Sequence, residues 1–118
     1  MTNRFPRSVY QVGDEPDPRF SLANERTFLA WIRTALAFLA AGVAIEAFAL
    51  PIHPVLRTVS AALFVLLGIG AAVQGLVGWM RAERAMRAGW ALPAPSGVLF
   101  LAPGIVVAVA VLVAGFIW

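Results

Sequence analysis

Three long apolar runs constrain this chain more than any other feature. They cover residues 27–50, 59–80 and 97–118. Each reaches the roughly 20 residues a helix needs to cross about 30 Å of hydrocarbon. Backbone polar groups in lipid must be satisfied within the structure, which leaves helices or a closed barrel, and three strands are too few to close a barrel. The expected fold is therefore an all-α membrane protein with three transmembrane helices. Residues 21–118 form one three-helix membrane domain, and residues 1–20, with Pro6, Pro16 and Pro18, are expected to be a flexible N-terminal segment. The composition agrees: 61% of the 118 residues are hydrophobic and 13% charged, against about 25% charged in soluble domains. Ala47-Phe48-Ala49 has the form of a signal-cleavage site. However, the first run is too long for a signal sequence, and Asp14, Glu15, Asp17 and Glu25 precede it, so a retained span is expected.

Arginine placement sets the expected orientation. All nine basic residues are arginine, against six acids, for a net charge of +3. Arg4, Arg7, Arg19 and Arg26 precede or open the first run, Arg57 alone lies in the first loop, and Arg81, Arg84 and Arg87 follow the second run. Residues after the third run's start carry none. The positive-inside rule then places the N-terminus in the cytoplasm and the C-terminus outside. Because the arginines sit at the edges of apolar runs, anionic lipid head groups or another phosphate-bearing partner are expected, and nucleic acid is not. Pro51 and Pro54 bracket the outer turn, and Gly89 is a candidate C-cap for the second helix. Pro103 either kinks the third helix or marks its first turn. Trp31, Trp79, Trp90 and Trp118 fall near the expected interfaces, where amphipathic rings belong.

Helical spacing sorts the first run into stripes. Phe28, Ile32, Leu36, Leu39 and Val43 form a bulky one, suited to lipid or core. Arg26, Ala30, Arg33, Ala37, Ala40 and Ala44 form another, with two arginines about 10 Å apart above a column of alanines. Small residues permit close helix approach, so this stripe points to a helix contact or a narrow cavity. Arg33 lies inside the run, where a charge faces a bundle interior or snorkels to the surface. In the second run, Gly68, Ala72 and Gly75, with Ala71 and Gly78, are spaced for close packing. Glu46 is the one acid inside a run, near Arg57 and His53. His53 has no companion ligand and cysteine is absent, so neither a metal nor any other cofactor is expected. No nucleophile set, carboxylate pair or phosphate-cradling glycine loop is present, and an enzyme is not expected.

The string Ser21-Leu22-Ala23-Asn24-Glu25-Arg26-Thr27-Phe28-Leu29-Ala30-Trp31-Ile32-Arg33-Thr34-Ala35-Leu36-Ala37 resembles the signature of the DUF202, or YidH-like, family of small bacterial inner-membrane proteins. The three-run plan and Arg81-Ala82-Glu83-Arg84 at the exit of the second run fit that family as well. A similar domain forms the membrane part of the eukaryotic vacuolar transporter chaperone complex, where oligomerised domains make a basic conduit for polyphosphate. The resemblance implies a conduit role for Arg26, with Glu25 as a nearby charge partner, and extends less directly to Arg33, Arg81 and Arg84. The chain has no counterpart of that complex's soluble catalytic and regulatory domains, so polyphosphate synthesis by it alone is not expected.

The expected function is thus an oligomeric inner-membrane conduit or vestibule for phosphate-rich anions, with further copies of itself and anionic lipid as partners. The alternative is an accessory subunit of another transporter, its arginines serving topology and lipid binding. A proton-coupled drug transporter fits less well, since it would want a fourth span and a carboxylate near mid-membrane.

Overall fold

The computed structural model describes residues 4–93 and 97–118. The chain forms a short helix α1 (Arg7–Tyr10) and three long helices, α2 (Pro18–Ala47), α3 (Pro54–Ala88) and α4 (Gly97–Ile117). No strand occurs among the described residues, and the three long helices are each long and apolar enough to cross a membrane. They run up, down and up in a bundle of 60 × 24 × 20 Å. α3 is central and packs on both neighbours, while the backbones of α2 and α4 do not approach each other.

At 1.5 Å per residue, the 30 residues of α2 and 35 of α3 span about 45 and 52 Å, well beyond the hydrocarbon thickness, whereas the 21 residues of α4 span about 32 Å. Both long helices overrun their apolar runs by about two turns at the same end, which carries most of the arginines. Local chemistry explains the overrun. Asp17 caps α2 by accepting a 2.9 Å hydrogen bond from the Arg19 backbone N–H, and Pro18 occupies the first turn, where its missing N–H costs nothing. The Arg19 side chain, and then its backbone N–H, hold the Asp17 carboxyl below its usual range. At the far end of α3, Gly89 takes the left-handed conformation (φ 72°) that ends the helix. Pro54 opens α3 after the tight turn. Pro103 lies inside α4, not at its first turn.

The helix contacts are close because glycines permit it. An added Cβ at Gly68 would sit 2.8 Å from Leu39 Cγ and 3.0 Å from the Ala35 carbonyl oxygen, and one at Gly75 would sit 2.7 Å from Trp31 Cβ. The core is correspondingly small: Ile45, Ala61, Phe64 and Ala108, with Phe38 stacked on Phe64 at 6.1 Å. Bulky apolar side chains cover the outside, among them Leu36, Val43, Leu66 and Val106, each more than 60% exposed. Lipid is the solvent that accepts such a surface.

Packing involves two features that composition alone does not report. The N-terminal segment, expected to be flexible, folds back onto the end of α3 within its described residues: Val9 is fully buried, and the Asp14 N–H donates to the Arg87 carbonyl at 3.0 Å. Gly13 (φ 57°) makes this approach possible, since any side chain there would collide with that carbonyl. Trp31 and Trp79, near the expected interfaces, are half-buried against neighbouring elements. Trp31 wedges between Gly75 and Gly97, and Trp79 meets Tyr10 at 6.2 Å, whereas Trp90 and Trp118 are exposed.

Candidate functional site

The arginines divide into two sets. Arg4 pairs with Glu15, Arg19 with Asp17 (2.8 Å), Arg57 with Glu46 (3.8 Å), and Arg87 with both Glu15 (2.6 Å) and Glu83 (3.8 Å). Arg7, Arg26, Arg33, Arg81 and Arg84 take part in no ion pair among the described residues. The four arginines marked by the sequence as candidate anion ligands are thus among the five that stand outside any ion pair, Arg7 being the fifth.

Arg26 and Arg33 stand on the exposed face of α2 with Ala30, Ala37 and Ala40, while Ala44 is half-buried. The buried residues of α2 are Ala35, Gly42 and Ile45 on the opposite face, against α3. The alanine column therefore packs on nothing within the protomer for most of its length. Arg81 borders a cavity of about 340 Å³ between the basic ends of α2 and α3, and Arg84 is exposed outside it. Glu25 is exposed and borders a separate, charged pocket of about 310 Å³ with Arg4, Glu83 and Arg87. It makes no ion pair with Arg26 among the described residues. One protomer therefore does not gather the candidate ligands at a single point. Of the small residues of α3, Gly68, Ala71 and Gly75 are buried and Ala72 is half-buried.

The signature string faces two ways. Asn24, Phe28, Trp31 and Ala35 turn towards α3. Asn24 Nδ2 donates to the Trp79 carbonyl at 3.0 Å, and Phe28 and Trp31 close over Gly75. Arg26, Ala30, Arg33 and Ala37 turn away. A spacing of three and four residues allows one helix to carry both faces.

A buried charge cluster was not apparent from the sequence. Arg87, with its side chain only 4% exposed, donates from Nη2 to Glu15 and from Nη1 to the Tyr10 carbonyl at 3.4 Å. Arg4 and Arg87 also lie over the Tyr10 ring, at 4.4 and 4.8 Å from its centroid. Glu83 and Arg87 are i,i+4 neighbours on α3, but Tyr10 and Glu15 lie 77 and 72 residues from Arg87 and gave no signal.

Fold and charge placement define a small membrane protein with three candidate spans and an unpaired basic face. Residues 19–85 match the family described as "Domain of unknown function (DUF202)", and the chain belongs to that family. It is 47% identical over 110 residues to the inner membrane protein YidH of Escherichia coli K12, covering 92% of this chain and 95% of that protein. YidH of Shigella flexneri aligns to the same extent. An uncharacterized protein of Mycobacterium tuberculosis H37Rv is 46% identical over 105 residues, covering 85% of this chain and 86% of the relative. No solved structure matches the chain.

Proposed function

We propose that this protein is a homo-oligomeric conduit or binding vestibule, and not an enzyme, for polyphosphate or other phosphate-rich anions, with the Arg26–Ala30–Arg33 face of each α2 turned to a shared axis. The observation that carries this reading is that Arg26 and Arg33 are exposed and outside every ion pair among the described residues, in a column of alanines exposed at Ala30, Ala37 and Ala40. A charge at the edge of hydrocarbon is costly unless it meets water, a counter-charge or a protein interior. Guanidinium groups bind phosphate oxygens bidentately, and two stacked rings of them would hold an extended chain better than a single phosphate. α2 and α4 flank α3 without enclosing a passage, so the reading requires self-association.

The absence of cysteine makes cross-linking a clean test. Single cysteines at Ala30, Ala37 or Ala40 should form disulfide-linked dimers in membranes, and cysteines at Leu36 or Val43 should not. Cross-linking on the bulky positions instead, or on none, would make the alanine face lipid-exposed and favour the accessory-subunit reading, with arginines binding anionic lipid.

The same proposal places the basic ends of α2 and α3 in the cytoplasm and the C-terminus outside. A reporter active only in the cytoplasm, fused after Trp118, should be silent, and strong activity there would reverse the orientation.

A further inference from the structure

The cavity beside Arg81 lies on the opposite side of α2 from the proposed anion face and is a different chemical environment. Its volume, about 340 Å³, is within the roughly 300–1,000 Å³ range of small-molecule sites. Phe20, Phe28, Trp31 and Trp79 supply aromatic wall, and Arg81 supplies the one charge among the described lining residues. The two ends differ. Gly75 and the Trp31 ring lie at the deep end, within the apolar run, where Trp31 reaches the start of α4 at Gly97. Arg81 stands about 9 Å further along α3 towards the basic end, exposed, with Arg84 one turn on. The walls are held without a ligand, because the Asn24–Trp79 hydrogen bond ties α2 to α3 at the cavity's side.

We propose that this cavity binds a phosphate-bearing amphiphile, its chain against the aromatic wall and its phosphate at Arg81. A polyanion fits poorly, since its further charges would face aromatic rings with no second guanidinium in the lining. A neutral chain would leave Arg81 unused at the one place where charge complementarity is available. Arg81 directly follows the apolar run that ends at residue 80, where a head group would stand, so the amphiphile would enter from the bilayer.

The proposal is tested with the two cavity tryptophans as reporters, in a Trp90→Phe/Trp118→Phe background. The purified protein in detergent is titrated with brominated-chain phosphatidic acid, with brominated diacylglycerol as the neutral arm and inorganic phosphate as the free-anion arm. Phosphatidic acid should quench saturably, diacylglycerol should not, and millimolar inorganic phosphate should not displace the lipid. Arg81→Gln should weaken apparent affinity by about tenfold or more, as expected for loss of a charge-assisted contact. Gly78→Leu should abolish saturable quenching by filling the space, because a Cβ there meets only Gln74 Nε2, at 3.7 Å. Its melting temperature should not fall. Arg26→Ala/Arg33→Ala should keep full quenching, so this site and the conduit fail separately. Equal quenching by the neutral lipid, an inert Arg81→Gln, or displacement by inorganic phosphate would each overturn the proposal.

Discussion

Replacing Arg87 with alanine is expected to destabilise the protein by about 3–5 kcal/mol, the usual cost of leaving a buried charge without its partner, and to release the N-terminal segment. Glu83 is 3% exposed, and Arg87 is its cation. Arg87 also holds Glu15 and the Tyr10 carbonyl, so one side chain joins α3 to the segment before α2. The melting temperature should fall, and trypsin should cut at Arg4 and Arg7 at concentrations that spare the wild type. Removing both buried charges, as Glu83→Leu/Arg87→Met, should recover much of the melting temperature while the N-terminus stays cleavable. If Arg87→Ala melts with the wild type, the cluster contributes nothing and the packing of the N-terminal segment rests on Val9 and Gly13 alone.

A second large effect is expected at Gly68. Gly68→Val should cost at least about 1–3 kcal/mol, because overpacking a tight contact forces displacement, and here one obstacle is the rigid Ala35 carbonyl. α2 and α3 would have to separate along their length. Gly78→Ala is the matched control on the same helix. Its added carbon meets nothing nearer than 3.7 Å, and alanine is the better helix former by about 1 kcal/mol. Thermal melts of the pair should therefore shift in opposite directions. Equal shifts would mean that the glycines of α3 do not set the helix spacing.

Hydrophobic run length was enough to predict three helices, and the prolines and Gly89 located their turns, because lipid leaves the backbone few options. Helix ends were harder to place. The two-turn overruns of α2 and α3 depend on Asp17, Arg19 and the Glu83–Arg87 pair, which are polar and so lie outside any apolar window. The packing of the N-terminal segment depends on contacts more than seventy residues apart, which periodicity does not report. Trp31 and Trp79 were read by residue type, and only Gly75 and Gly97 opposite Trp31, with Tyr10 against Trp79, show why they are half-buried. Helical spacing alone separates Arg26 and Arg33 from Asn24, Phe28 and Trp31, but the helix contact or narrow cavity expected of the alanine stripe does not lie within the protomer, where Ala30, Ala37 and Ala40 are exposed. What the bulky stripe faces was not legible: Phe28 and Leu39 meet α3, while Leu36 and Val43 are exposed, because five positions drift around a straight helix.

The unpaired arginines of α2, Arg26 and Arg33, are expected to bind phosphate chains. Polyphosphate binding to the purified protein in nanodiscs of neutral lipid, followed across a salt series, tests it most directly. Wild type should bind at low salt and weaken as screening shortens to about 8–10 Å near physiological ionic strength. Arg26→Ala and Arg33→Ala should each reduce affinity, the double variant should reduce it further, and Arg57→Ala, whose side chain is paired with Glu46, should matter little. Wild type binding no better than the double variant at low salt would contradict the account and leave these arginines as anchors to the lipid surface.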